Sequence, residues 1–429
     1  YATLFLTGGD TVSAPVWLAA GFALAGVILH GYSVLPGILI GALLAFQANN
    51  LSLVNSGVLT LGAVTAALLA GMLIRRQAPA HQLLQSTGQL TKFLSIGALI
   101  GPLFAVLATL AVLFLDGGTN GDSLLRAAGS VWLSHAVGIG LVTPLVLAWR
   151  TRSGFETAWY RLEALLLALA TLAVCTLLLG ELIPEKALSH ALSYLPFPLI
   201  AWAFLSFRSR VTTLVLASLA AATVWGSHSG VGLFAGDNPH PGDLPMQIYI
   251  LVMAITALIG TAQVSGRQQR MQRMALASKV ITHSPEGIIV TDPGGVILSA
   301  NPAFFVSTGF QPGDIAGQSI HKLTSVHHNA DFFTNIWRQL RLNGWWEGEI
   351  WNRDKEGEIH PQWLSLTAIT DKDHQPTHYL GIYSDVSRQK QVQERLHRLA
   401  YHDVLTGLPN RQLFNDRLNQ ALKYANRKN

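Results

Sequence analysis

The chain has 429 residues, of which 50% are hydrophobic and only 12% charged, about half the charged fraction of an ordinary soluble protein. Residues 1–260 hold 19 of the 53 Asp, Glu, Lys and Arg residues, and residues 261–429 hold the other 34. An apolar half therefore precedes a soluble half. A single cysteine, Cys175, excludes an internal disulfide framework and a cysteine-based metal cluster.

The apolar half, residues 1–265, contains recurrent stretches close to the roughly 20 residues that an α-helix needs to cross a bilayer. Because residue 1 is Tyr, we expect that the N-terminus has been trimmed and that Tyr1–Thr7 is the tail of a lost span. We predict about nine further spans, near residues 12–30, 34–48, 57–74, 93–115, 124–149, 162–180, 190–207, 209–226 and 245–265.

The basic residues predict the orientation of these spans. Eleven of the thirteen Lys and Arg residues up to Arg273 fall in alternate loops, the exceptions being Arg126 and Lys186. Positively charged loops stay in the cytoplasm, so residue 1 is expected outside and the chain after residue 265 inside. Membrane topology then accounts for the net charge of +5, and we expect a lipid bilayer as partner and no nucleic acid.

Spaced Trp, Gly and Pro residues give the apolar half a recognisable pattern. Residues 14–41 read APVWLAAGFALAGVILHGYSVLPGILIG and residues 131–145 read VWLSHAVGIGLVTPL. Residues 194–210 read YLPFPLIAWAFLSFRSR and residues 225–234 read WGSHSGVGLF. Together they resemble the bacterial membrane-associated sensor domain that precedes cyclases and histidine kinases. The resemblance implies a polytopic helical sensor of an unknown small-molecule signal.

Five residues of the spans are candidates for sensing a ligand. His135 stands where the family motif commonly has an acidic residue, and an ionisable group inside a span is a functional candidate by default. The alternative is a neutral imidazole bonded to a neighbouring carbonyl or hydroxyl group. Tryptophans could line a ligand pocket, although interfacial belts and helix packing also explain them. These tryptophans are Trp17, Trp132, Trp202 and Trp225.

The soluble half begins with a polar linker helix at residues 266–280. Strand patterns flank the turn Asp292–Gly295, and helical spacing follows at Asp331–Leu342. Three more strands are predicted at Trp346–Asn352, Ile359–Thr370 and Tyr379–Asp385. This order, with Asn301-Pro302-Ala303-Phe304 and the closing Asp385-Val386-Ser387, resembles a PAS domain, an α+β fold, over residues 281–387.

The resemblance implies a PAS pocket bordered by Trp337, Trp346, Asn352 and Arg353. In similar domains Trp and Asn border the isoalloxazine ring of a flavin, so FAD is the cofactor candidate. A Trp-rich stripe is also typical of a filled core, which is the alternative. The cofactor is otherwise unknown, and no metal site is expected.

A second polar helix is predicted at residues 388–402, with Val392, Leu396 and Leu399 at coiled-coil spacing. The PAS family pairs the closing Asp385 with a following basic residue, here Arg388 or Lys390. The helix suits either a contact between two protomers of a homodimer or packing on its own PAS domain.

Residues 403–411 read DVLTGLPNR, which resembles the opening of GGDEF domains, the α/β domains that make cyclic di-GMP from GTP. The continuation through Leu422 is most similar to proteins in which a GGDEF domain precedes an EAL phosphodiesterase domain. We expect Asp403, Asn410 and Arg411 to relay a signal. The catalytic motifs, with their GTP and Mg sites, lie beyond residue 429, so no catalytic residue is assigned and the chain as written is expected to be inactive.

The sequence as a whole predicts a multi-pass sensor of the bacterial inner membrane. Its membrane and PAS inputs would pass through signalling helices to a truncated GGDEF start in the cytoplasm and govern cyclic di-GMP synthesis, degradation or both. Two alternatives are another PAS-linked output such as a histidine kinase, and a transporter. The spans contain almost no carboxylates for ion coupling and no evident repeat, which argues against transport.

Overall fold

The computed structural model describes residues 16–115, 121–150, 158–179, 193–207, 209–229, 244–325 and 327–385, with a few residues elsewhere. Contacts divide the chain into two compact units, Tyr1–Met271 and Gln272–Asn429. The first unit is helical and the second contains a β-sheet.

Ten helices of this part of the chain belong wholly or mainly to the first unit. Apolar runs form helices in a bilayer because only a helix satisfies every backbone polar group within its own segment. The helices are α1 Leu18–His30, α2 Leu35–Gln47, α3 Leu53–Gln77, α4 Thr87–Phe93, α5 Pro102–Leu115, α6 Gly121–Trp149, α7 Ala158–Leu178, α8 Pro196–Ser206, α9 Ser209–His228 and α10 Leu244–Thr282.

Seven helical stretches among the described residues are long and apolar enough to cross a membrane. One stretch, Leu18–Gln47, contains both α1 and α2, joined by a 3₁₀ turn at Gly31–Val34. Another, Thr87–Leu115, joins α4 to α5 through a π-helical segment. Nine crossings therefore require that α1, α2 and α8, each of 13 residues or fewer, cross separately. That count stays a prediction.

The chain reverses direction between α1 and α2. The ring of Trp17, just before α1, stacks on Phe46 near the end of α2, with centroids 5.7 Å apart. The turn begins at Gly31, whose φ of 74° favours glycine. Each helix is about 20 Å long, shorter than the roughly 30 Å hydrocarbon core. The predicted spans 12–30 and 34–48 thus correspond to an antiparallel pair of short helices.

Helix α6 is the centre of the membrane unit. Of its most apolar 18-residue window, 78% is buried, against 11–56% for the other six candidate spans. One face contributes Val137 and Leu141 to a buried cluster with α7, α8, α9 and α10. Another face contributes Ala136 and Ile139 to a cluster with α1, α3 and α10.

Two arginines cap helix ends on the predicted cytoplasmic side. Arg75 donates from Nη1 to the carbonyl oxygen of Val27, at 3.0 Å. Arg210 donates to the carbonyl oxygens of Ala148 and Trp149, at 3.2 and 3.1 Å. Carbonyl oxygens in the last turn of a helix carry partial negative charge, so a guanidinium group stabilises them.

The second unit contains a five-stranded antiparallel sheet in the order β2-β1-β5-β4-β3. Helical segments connect β2 to β3, and the buried core includes Ile289, Phe304 and Leu364. The predicted strands and the predicted helix at 331–342 are confirmed. The elements are β1 Gly287–Thr291, β2 Ile297–Ala300, α11 Pro302–Thr308, α12 Pro312–Ile315, α13 Ala330–Asn343, β3 Trp345–Arg353, β4 Ile359–Thr370 and β5 Pro376–Asp385.

The turns of the sheet follow from aspartate side chains. Asp292 accepts from the backbone N–H of Val296 at 2.8 Å, and Gly295 has a φ of 80°. Asp354 and Asp371 similarly accept backbone N–H groups within the β3–β4 and β4–β5 turns. Short side chains that bond nearby backbone groups favour turns, which is why these segments were predictable.

We expect Gly138→Ala to destabilise the membrane unit. A methyl group at Gly138 of α6 would overlap the carbonyl oxygen of Trp17, which is backbone and cannot move aside. Overpacking of this kind costs about 1–3 kcal/mol. Thermal unfolding in detergent, followed by tryptophan fluorescence, should show a lower midpoint. Gly129→Ala on the same helix is the control, since its methyl group meets open space, and an equal loss there would contradict this account.

Candidate functional site

Helices α1 and α6 touch through their backbones near the middle of α6. A methyl group on Gly21 would overlap Gly138, and one on Gly138 would overlap Trp17. The Thr143 hydroxyl donates to the carbonyl oxygen of Gly21 at 2.9 Å, and the Trp17 N–H donates to that of Ser134 at 3.1 Å. Small residues permit such close approach between membrane helices. The contact places Trp17 beside the next residue of α6, His135.

Trp17 and His135 form an aromatic cluster with Phe46. The rings of Trp17 and His135 stack with centroids 5.9 Å apart, and Phe46 lies on Trp17. His135 Nδ1 is 2.9 Å from the carbonyl oxygen of Val131. Since a carbonyl only accepts, Nδ1 carries the proton in this bond, and Nε2 of the neutral ring is left as an acceptor. The carbonyl-bonded imidazole considered from the sequence is therefore present, but one nitrogen is still available.

A cavity of about 620 Å³ lies between α1, α2 and α3, with residues of α5 and α6 at its inner wall. Trp17, Phe46 and His135 line it together with Gly and Ala residues from the first three helices. Gly37 and Gly41 of α2 have open space where a Cβ would stand. This volume lies within the range of small-molecule sites, which are about 300–1,000 Å³. We call this space the α1–α3 cavity.

The other three candidate tryptophans lie elsewhere among the described residues. Trp132 donates to the carbonyl oxygen of Leu99, in the π-helical segment, at 3.0 Å. Trp202 donates to Glu163 Oε1 at 3.0 Å and packs on the cluster around α9. Trp225 is 53% exposed. The structure therefore brings together Trp17 and His135 but not the predicted set of five.

In the sheet unit, three of the four predicted pocket residues face the interior. Trp346 is buried, and Trp337 meets Tyr379 edge to face at 5.1 Å. Asn352 is buried and donates from Nδ2 to Gln362 Oε1 at 2.9 Å. Arg353 is exposed at the end of β3, because successive strand residues point to opposite faces.

These contacts bear on the flavin candidate. A bound isoalloxazine needs polar side chains that can turn toward it, yet the Asn352 amide is already paired across β3 and β4. Trp346 packs on Phe332 within a core that also contains Phe304 and Tyr383. The four predicted residues thus leave no buried polar atom without a partner among the described residues. These contacts do not themselves support a flavin site, and FAD stays a prediction.

His328, near the start of α13, is bonded to the sheet. Its Nε2 accepts from the backbone N–H of Trp351 at 3.0 Å, and its ring stacks on Phe332 at 3.9 Å. Burial lowers the pKa of His328, and the charge of His327 lowers it further. The neutral form is the one able to accept, so its role here is structural.

Three potential metal ligands, Asp354, Glu358 and His360, meet at the β3–β4 turn. His360 Nε2 lies 3.2 Å from Asp354 Oδ2 and 3.6 Å from Glu358 Oε2. The His360 and Glu358 side chains are largely exposed to solvent. The turn geometry explains the cluster, so it carries no metal assignment.

Asn301 joins the end of α10 to the sheet unit. Its Nδ2 donates to the carbonyl oxygens of Ile281, in α10, and Glu286. Its Oδ1 accepts from the N–H of Ile288, in β1, and of Phe304, where it caps α11. Four bonds from one buried side chain therefore fix the last turn of α10 to β1 and α11.

Most predicted relay residues lie outside the described part of the chain. These are Arg388, Lys390, Val392, Leu396, Leu399, Asp403 and Arg411. The backbone of Asp385 pairs with Gln362 at the end of β5. Asn410 accepts from the N–H groups of Gln412 and Leu413, as a helix cap does, and its own amide donates to the carbonyl oxygen of Ala400.

Comparison with known proteins assigns the first unit. The MASE1 family matches residues 2–269, which is more than half of the chain, and a PAS domain family matches residues 285–388. The chain belongs to the MASE1 family. The α1–α3 cavity lies within the MASE1 region, and Asn301 lies within the PAS domain that follows it.

Three curated relatives resemble parts of this MASE1 protein. The nitrogen fixation regulatory protein of Klebsiella oxytoca is 24% identical over 32% of this chain and 28% of its own length. The cyclic di-GMP phosphodiesterase PdeR of Escherichia coli is 26% identical over 35% and 23%. The sensor histidine kinase TmoS of Ectopseudomonas mendocina is 31% identical over 28% and 12%. The chain therefore covers at most 28% of the length of these three relatives.

Solved PAS structures resemble the second unit. A PAS domain from Colwellia psychrerythraea is 22% identical, with a TM-score of 0.26, over 27% of this chain and 98% of that one. A Rhodobacter sphaeroides LOV protein is also 22% identical, with a TM-score of 0.25, over 27% and 69%. The resemblance predicted from the sequence, a membrane sensor domain followed by a PAS domain, is confirmed.

Sequence reasoning missed Phe46, Gly21, Gly138 and Asn301 as contributors to these sites. The glycines stand in the strings that carry the family resemblance, and small residues on a span indicate close helix packing. Asn301 was noted only as part of a motif. Nothing in the local pattern of Phe46 indicates that its ring lies against Trp17, because the contact depends on the reversal between α1 and α2.

We expect Asn352→Leu to destabilise the PAS domain by about 1–3 kcal/mol, because it leaves the Gln362 amide buried without its partner. The double variant Asn352→Leu with Gln362→Leu should recover much of this loss, since replacing both partners by apolar groups is nearly neutral. Denaturant unfolding of the full chain measures both. Equal or greater loss in the double variant would show that the amide pair does not have the role assigned here.

We expect the purified chain to be colourless. If the interior of the PAS domain is filled by its own side chains, the absorption spectrum shows no flavin bands, and mass spectrometry after denaturation finds no released FAD. Flavin bands near the stoichiometry of the protein would show instead that the Asn352–Gln362 pair opens to admit a cofactor.

Proposed function

We propose that this chain is the sensory part of a bacterial inner-membrane receptor that regulates an enzyme of cyclic di-GMP metabolism. The observation that carries the proposal is the single helix α10, Leu244–Thr282. It starts in the buried core of the MASE1 domain and ends where Asn301 bonds to Ile281 in the PAS domain. We infer that an event in the membrane reaches the PAS domain through this helix.

The two ends of α10 differ in their surroundings. Gln247, Ile250 and Met253 are fully buried in the membrane unit, whereas residues 271–283 are all exposed. At about 1.5 Å per residue, the 39 residues span about 58 Å. We infer that rotation or translation of the packed part passes along the exposed part of the helix. Allosteric control by this route requires two states that differ in their ligand contacts.

The output is inferred from the sequence after the PAS domain. The string at 403–411 resembles the start of a GGDEF domain, and the similarity to PdeR supports a link to cyclic di-GMP. The alternative output is a histidine kinase, which the similarity to TmoS supports. Two GTP molecules on separate catalytic domains must meet for cyclase chemistry, so control of a homodimer would act through positioning.

Charge supports the proposed orientation. Arg75 and Arg210 cap helix ends on the side where the positive-inside rule places the cytoplasm, and Arg267, Arg270 and Arg273 follow on α10. The PAS domain and the residues after it are then cytoplasmic. The membrane is the inner membrane of a bacterium.

The relay can be tested by insertions into the exposed part of α10. Two residues after Met274 rotate everything downstream by about 200°, whereas seven rotate it by about 700°, within 20° of two full turns. The chain is fused to a diguanylate cyclase domain and expressed in cells that lack other cyclases. We expect the two-residue insertion to change cellular cyclic di-GMP by about fivefold or more.

The seven-residue insertion is the matched control and should leave the level within about twofold of the unmodified fusion. Mass spectrometry measures the nucleotide, and immunoblotting confirms equal expression. Equal levels in all three proteins would show that the signal does not pass through α10. Equal disturbance by both insertions would show that helix length, not phase, is what matters.

A further inference from the structure

We propose that the α1–α3 cavity binds a single-chain apolar molecule whose head carries an O–H group. The proposal rests on the sensory function proposed above and names the chemistry of the signal. It starts from three features of the cavity, which are its lining, its opening and the imidazole of His135 at its end.

The lining of the cavity is mostly apolar and suits a hydrocarbon chain. Residues that line the cavity run from Trp17 to Gly26 on α1 and from Ser33 to Phe46 on α2. The α1 stretch alone is about 14 Å long. Small side chains, including Ala23, Ala42 and Ala67, cover its walls. A slot of this kind accepts methylene or isoprenoid groups along its length.

The cavity opens on the side that a bilayer would cover. Phe22 on α1 is 59% exposed, and Gly37 and Gly41 on α2 are exposed as well. All three line the cavity. Because the surrounding medium at this depth is hydrocarbon, the ligand enters from the membrane and not from water.

His135 indicates which chemical group the head of the ligand carries. Its Nδ1 donates to Val131, so Nε2 presents a lone pair and has no hydrogen-bond partner among the described residues. A lone pair pairs with an O–H donor, whereas a ketone, ether or carboxylate oxygen would face it unfavourably. No Lys or Arg is among the residues that line the cavity, which excludes a phosphate-bearing lipid head.

Two membrane sources supply this chemistry. A long-chain aliphatic alcohol offers one O–H group on a chain, and an isoprenoid quinol offers an O–H group on an aromatic ring. The stacked rings of Trp17, Phe46 and His135 would favour the flat quinol ring through offset stacking. The shared requirement is the O–H donor, and the experiment separates the two sources.

The test uses the full chain in phosphatidylcholine nanodiscs and a tetradecanol that carries a photoactivatable diazirine in its chain. We expect labelling of peptides within residues 16–47, mapped by mass spectrometry. Unlabelled 1-tetradecanol should compete about tenfold better than its methyl ether, a ratio equivalent to about one hydrogen bond. Stronger competition by decylubiquinol than by decylubiquinone and tetradecanol would identify the quinol. Stronger competition by tetradecanol than by decylubiquinol would identify the alcohol.

Variants test the geometry. Gly41→Leu fills the open space beside α2 and should reduce labelling about tenfold or more. Gly57→Leu is the matched control, because its Cβ also meets open space but the residue does not line the cavity. His135→Phe should keep labelling but lose the preference for alcohol over ether, and His135→Gln, which restores an acceptor, should recover part of it.

Several results would overturn the proposal. These are unchanged labelling of Gly41→Leu, competition by neither tetradecanol nor decylubiquinol, and an unchanged alcohol preference in His135→Phe. Equal thermal unfolding midpoints of the variants confirm that they are folded. Binding is measured without any output, so labelling with no change of cyclic di-GMP in the cyclase fusion would refute the sensory function and leave the binding site standing.

Discussion

The backbone contact between α1 and α6 is the constraint on which the membrane unit depends. Gly21 and Gly138 let two helices approach until their main chains touch, and Thr143 bonds the carbonyl oxygen of Gly21 across the contact. Because α6 is the most buried helix, its partner is fixed in depth and rotation. Trp17 is thereby held on His135, and the reversal at Gly31 returns Phe46 to the same place.

A second constraint links the two units through the covalent chain. Helix α10 packs part of its first half among the spans and exposes all of residues 271–282. Asn301 then bonds to the carbonyl oxygen of Ile281 and to three backbone groups of the PAS domain. A helix that is packed in the membrane unit at one end and exposed to solvent at the other is consistent with a sensory role.

The sequence predicted the elements that follow from local chemistry. Spans were predictable because the bilayer demands a minimum apolar length, and the PAS turns were predictable because Asp292, Asp354 and Asp371 bond their own backbone. The candidate site was predicted only in part. Trp17 and His135 meet at the cavity, but Trp132, Trp202 and Trp225 bond or pack elsewhere. Which tryptophans share a space depends on helix rotation and on contacts between distant residues such as Trp17 and Phe46, and apolar spans carry little periodic signal for rotation.

The arginines that cap helix ends, Arg75 and Arg210, have a structural role as well as a charge. The positive-inside rule predicts the orientation of the chain partly from Arg75 and Arg210, and the same guanidinium groups donate to carbonyl oxygens at the ends of α1 and α6. Under that prediction, insertion and folding depend on common side chains. Lysine in place of Arg210 would retain the positive charge but lose the planar fork that reaches two carbonyls at once. In this protein, then, the arginines at these helix ends join neighbouring helices of the bundle in addition to carrying charge.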